Sequence, residues 1–208
     1  MATFFFISTS KGAGRLSMNK EFIVDSQTAL VTIIENQDLI AQHSRQVASL
    51  CDLVGRIVGF KYEELRQLYW AGLLHDIGKI AISKSILEKP GRLSAEEFSN
   101  VKMHPRLGAN MVETIGCASS VVQAVRSHHE RLDGSGYPDR LSGGKISIMS
   151  RIVAVADVFE AMTSDRPYRK ALPVAVAFEE LEQSDKYDQE VLAALQKGLA
   201  SRYGENLS

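Results

Sequence analysis

From about residue 21 to the end of the chain, apolar residues recur at helical spacing, and the histidines fall on or beside those apolar stripes. There are five, His43, His75, His104, His128 and His129. A polar ring on an apolar stripe must find a partner inside the protein or destabilise it. One such histidine is usually a hydrogen-bonded core residue. Five of them, joined by Asp76 and Asp157 on inward faces, are satisfied most economically by a shared cation or pair of cations.

The bulk properties fit a buried cluster. A chain of 208 residues with 45% hydrophobic content can build a sizeable core without staples. The net charge of -1 gives no basic footprint, so long nucleic acid is not an expected partner. Cys51 and Cys117 lie in apolar surroundings and read as buried reduced thiols of a cytoplasmic protein. The apolar run Thr3–Ile7 is too short to cross a bilayer, and it lacks the flanks of a signal peptide. Residues 1–20 read as an N-terminal extension of unknown structure, and residues 21–208 as one domain.

The periodicity predicts an all-α bundle. A first helix is expected over Glu21–Glu35 and a second over Asp38–Val58, with Val47, Leu50, Cys51, Val54 and His43 on its inner stripe. A third starts after Phe60 and carries Leu68, Gly72, His75 and Asp76 on one face, closed by Gly78. Ser94 and Glu97 form a capping box for a helix that ends near His104. Val121, Val125, His128 and His129 form another inward stripe. A glycine-rich loop over 131–147 precedes a helix from Ile148 to Met162, which turns Asp157 inward. Two closing helices follow Pro173 and Asp188.

Adjacent residues on a helix differ by about 100° in direction. In His75-Asp76 the imidazole could therefore bind one ion while the carboxylate bridges to a second. By the same geometry, His128 and His129 would serve different ions. The spacing thus points to a two-metal site.

The string His75-Asp76-Ile77-Gly78-Lys79 resembles the signature of the HD superfamily of metal-dependent phosphohydrolases. The string from His128 to Pro138, with Gly136-Tyr137-Pro138 at its end, resembles the hallmark of the HD-GYP phosphodiesterase branch. Lys89-Pro90-Gly91-Arg92-Leu93, His104, the run Arg151–Asp157 and Arg166-Pro167-Tyr168-Arg169 extend the resemblance over roughly residues 36–200.

The resemblance implies a multi-helix HD-type bundle with the glycine-rich loop over a metal site. It implies hydrolysis of cyclic di-GMP or the related cyclic GMP-AMP by metal-activated water. The implied ligands are His75, Asp76, His104, His128, His129 and Asp157, with His43 from an upstream segment. The ions would be iron or manganese, with nickel as a further choice. Leu39 stands where the family carries a glutamate four residues before His43, so two ions are expected rather than three.

Asp76 and Lys79 are the expected catalytic pair, with Lys79 reaching phosphate or the leaving oxygen; its other reading is a solvated lysine at a helix end. Gly136, Tyr137, Arg166 and Arg169 are the expected substrate-binding residues. For Tyr137 the competing reading is a loop aromatic packed on the core; for the arginines it is a plain surface pair. Asp133 reads as a turn residue, and Glu130 and Arg131 as flanking the site. A general nucleotide phosphohydrolase, or a domain that binds a dinucleotide or partner without turnover, are the alternatives. A regulatory protein or fused sensory domain would complete the system.

Overall fold

A computed structural model of the protein describes residues 38–165 and 169–204, with side chains from residue 42 onward. The expected helix Glu21–Glu35, the run Thr3–Ile7, Arg166, and the side chain of Leu39 lie outside these. The described residues are helical and contain no β-strand. In chain order the α-helices are α1 (Asp38–Ile57), α2 (Tyr62–Leu74), α3 (Lys84–Leu87), α4 (Ala95–Val101), α5 (His104–Thr114), α6 (Ser119–Ser127), α7 (Ile148–Thr163), α8 (Val174–Glu182) and α9 (Gln189–Tyr203). Short 3₁₀ turns occupy Ile77–Ala81 and Gly143–Lys145. None of the described helices is long and apolar enough to cross a membrane.

The bundle forms around α7, which packs against α1, α2, α6, α8 and α9. Its Ile152, Val153, Ala156 and Phe159 are buried at helical spacing and meet Val47, Cys51, Leu68 and Leu195. Helices α1 and α2 approach closely because Gly72 has no side chain; a Cβ there would stand 2.9 Å from Ala48 Cα. The predicted capping box opens α4, with Glu97 N donating to Ser94 Oγ and Ser94 N donating to Glu97. Asp188 caps α9, its carboxylate accepting from Glu190 N and Val191 N.

Two local expectations change in the folded chain. Helix α2 stops at Leu74, before His75 and Asp76, and the chain tightens into the 3₁₀ turn that follows. His104 does not close the preceding helix; it is the first residue of α5, with Pro105 in the first turn. Arg169 lies off any helix, and its exposed guanidinium donates back to the Ala161 carbonyl. Each change falls at a helix end, where periodicity is silent and caps and packing decide.

Candidate metal centre

Helix ends converge on one point and deliver the histidines there. His75 follows the last turn of α2, His104 opens α5, and His128 and His129 follow α6. His43 comes from mid-α1 and Asp157 from mid-α7. At each of three positions the ring Nδ1 donates to the carbonyl three residues back: His75 to Gly72, His104 to Val101 and His128 to Val125, each at 2.7 Å. A carbonyl only accepts, so the proton sits on Nδ1 and Nε2 presents a bare lone pair to the centre.

The donors fall into two groups. Asp76, His104, His128 and His129 share one, and His43, His75 and Asp157 share the other. Asp76 faces both: Oδ1 lies 3.2 Å from His104 Nε2, and Oδ2 lies 3.4 Å from His75 Nε2. His128 and His129, expected to serve different ions, fall in the same group of donors. Helix α6 ends at Ser127, and the turn beyond it brings the two rings to 4.1 Å between centroids.

The donor set fits divalent ions. Among the described residues, His75 Nε2 and Asp76 Oδ1 are buried and make no hydrogen bond. His104 and His128 turn bare Nε2 atoms toward each other at 3.3 Å, which is repulsive unless a proton or cation lies between. A proton is disfavoured on His128, whose pKa is pushed well below the usual value by burial and then by the neighbouring imidazoles. Burial also pushes His129 down to about 3. A cation shared by these atoms removes the conflict.

The two carboxylates of the cluster are held charged. Burial opposes charge on Asp76, but Lys79, His75 and His104 override it and hold its pKa well below the carboxylate range. Asp157 is likewise lowered, with burial outweighed by His43 and His75. Burial also works against a charged His43, yet hydrogen bonds to Asp157 and Glu160 raise its pKa to about 9.

Glu160 is the site residue that the sequence reading missed. It is buried on α7, bonds His43 Nδ1, and accepts from Ser164 Oγ at 2.8 Å. Its signal was present, because Asp157 and Glu160 are three apart and so share a helix face.

Lys79 Nζ lies 2.5 Å from Asp76 Oδ2, at the edge of the cluster. Tyr137 lies half-buried, its ring 4.7 Å from that of His129. Gly136 is buried and permits close packing: a Cβ would stand 2.5 Å from Glu130 Cα. The loop is held from below by Glu130, whose carboxylate accepts from Asp139 N at 2.7 Å and Leu141 N at 3.0 Å. Asp133 turns the loop by accepting from Ser135 N at 2.8 Å. Glu130→Ala is expected to orphan two backbone donors and destabilise the fold by about 2 kcal/mol. An unchanged urea midpoint would show that water replaces those bonds freely.

A family model described as HD domain matches residues 28–191. The chain belongs to the HD domain family. HD domains are metal-dependent, and this cluster has the donors for such an ion. The chain is 38% identical over 161 residues to the 3′3′-cGAMP-specific phosphodiesterase 3 of Vibrio cholerae, covering 76% of this chain and 35% of that protein. It is 39% identical over 173 residues to a cyclic di-GMP phosphodiesterase of Pseudomonas aeruginosa, covering 82% and 42%.

Among solved structures, a cyclic GMP-AMP-specific phosphodiesterase of Vibrio cholerae superposes with a TM-score of 0.55 at 30% identity, over 88% of this chain and 42% of that one. An HDG"Y"P protein from Bdellovibrio bacteriovorus shares the fold, with a TM-score of 0.64 at 18% identity over 85% and 62% of the two chains. This HD domain spans less than half the length of the two curated relatives.

Proposed function

We propose that the chain is a metal-dependent phosphodiesterase that hydrolyses cyclic di-GMP or a related cyclic dinucleotide. One observation carries the proposal: Asp76 turns one carboxylate oxygen to each of two donor groups built from five histidines and Asp157. The names of the similar phosphodiesterases from Vibrio cholerae and Pseudomonas aeruginosa supply the substrate class.

His104, His128 and His129 with Asp76 would hold one ion, and His43, His75 and Asp157 with Asp76 the other. Iron or manganese suits this mixed imidazole and carboxylate shell, and nickel is also compatible. When bound, such ions activate water and neutralise phosphate charge.

The chain's own residues do the rest. The three Nδ1 bonds to backbone carbonyls hold the rings in orientation. Lys79 brings an ammonium to the Asp76 side of the cluster, where it can donate to a phosphate oxygen or to the departing ribose oxygen. Tyr137, packed on His129, offers a hydroxyl to phosphate or a ring face to guanine. Arg169 would enter the substrate side only by leaving the Ala161 carbonyl to which its guanidinium donates.

The test is to incubate metal-loaded protein with cyclic di-GMP, 3′3′-cyclic GMP-AMP and nucleoside mono- and triphosphates, and to separate the products. Turnover of the cyclic dinucleotides is expected. Hydrolysis of the mononucleotides alone would overturn the proposal in favour of a general nucleotide phosphohydrolase. Chelation of the ions is expected to lower the thermal midpoint, since a ligand held at 100 times its Kd stabilises by about 2.7 kcal/mol.

A further inference from the structure

A strip of side chains runs outward from the cluster to solvent. Tyr137 packs on His129, and Lys102 Nζ lies 5.4 Å from the Tyr137 ring centroid. The same ammonium lies 4.6 Å from the centroid of Phe98, which is 47% exposed. Phe98 is therefore a large aromatic surface left half in water, one helical turn from a cation.

Lys102 is placed with some rigidity. It follows Val101, whose carbonyl accepts from His104 Nδ1, so the end of α4 is tied to a candidate ligand. The start of α4 is held by the Ser94 box and by Lys89, whose ammonium bonds both oxygens of Glu97 at 2.8 and 2.7 Å.

The neighbouring cations are committed elsewhere. Lys79 pairs with Asp76, Lys89 with Glu97, and Arg106 and Arg126 with Asp139. Lys102 makes no ion pair among the described residues; it is held over two ring faces. Contact with a ring face leaves ammonium protons available to a phosphate.

A cyclic dinucleotide carries a second phosphate and two purines beyond the bond being cut. Those groups need an anion site and a stacking face beside the cluster. We propose that Lys102, cradled between Phe98 and Tyr137, is a substrate-binding residue for the phosphate away from the scissile bond, and that Phe98 is the face on which the adjoining purine stacks. This rests on the phosphodiesterase activity proposed above and assigns it a recognition surface on α4.

The test compares the metal-loaded wild-type, Lys102→Met, Lys102→Arg and Phe98→Ala forms of this 208-residue chain. Cyclic di-GMP and 3′3′-cyclic GMP-AMP are the substrates. Bis(p-nitrophenyl) phosphate is the control, because it offers one phosphate and no purine. Lys102→Met and Phe98→Ala are each expected to raise KM for the cyclic dinucleotide about tenfold, the scale of one phosphate contact or one stacked base. The kcat values and turnover of the small diester stay at wild-type levels, and Lys102→Arg recovers most of the affinity.

An unchanged KM would overturn the inference. So would an equal loss on the small diester, which would make Lys102 a support for the tyrosine loop. A wild type that cleaves the small diester but neither cyclic dinucleotide would remove the proposed substrate class, and this inference with it.

Discussion

Asp76→Asn is expected to cut cyclic dinucleotide hydrolysis by about 10³-fold, the scale reached when one charged element of a preorganised site is removed. Asparagine keeps the size of the side chain but replaces one carboxylate oxygen with a donor. That donor would face His104 Nε2 or His75 Nε2, the atoms now within 3.2 and 3.4 Å of the carboxylate. The Lys79 ammonium would lose its ionic partner at the same time. Elemental analysis should show fewer ions per chain, and the small diester should be lost together with the dinucleotide. Glu63→Gln, which disturbs an exposed pair with Arg66 and a bond from Gln67 on the surface of α2, should leave both unchanged. Full metal content and wild-type turnover in Asp76→Asn would refute the bridging role.

Gly78→Ala is expected to be the most damaging added methyl among the described glycines. A Cβ at this position would stand 2.0 Å from the His104 carbonyl oxygen and 2.5 Å from Gly108 N. Both obstacles are backbone of α5, so no side chain can rotate away. The 3₁₀ turn must instead lift off α5, which draws Asp76 away from His104. Overpacking against backbone should cost about 3 kcal/mol or more. For a chain of this size that lowers the thermal midpoint by roughly 6–12 °C. Metal binding should weaken in parallel, because the two halves of the first donor group sit on either side of that contact. A melting curve and metal content like those of wild type would show that the contact is looser than drawn.

These two predictions draw on different kinds of information. Asp76 was legible in the chain, because a carboxylate beside a histidine at the end of an apolar stripe has few other ways to be satisfied. The importance of Gly78 was legible only as a helix stop. That a second helix start presses against it emerges only from packing, since His104 and Gly108 lie 26 and 30 residues further along the chain. Glu160 shows a third case. Its spacing from Asp157 was visible, but an acid near a helix end reads as solvated until the fold places His43 beside it.

The sequence by itself determined the helical class, several helix caps and the candidate donors, the five histidines with Asp76 and Asp157. These follow from local physics: apolar period, capping residues, and the cost of burying polar rings without partners. Tertiary structure alone decided how the candidate donors are grouped, putting His128 with His129 and turning the Asp76 carboxylate toward both groups. The ideal-helix separation of about 100° assigned His128 and His129 to different ions. The chain leaves the helix before both residues, and beyond a helix end direction is set by whatever the turn packs against.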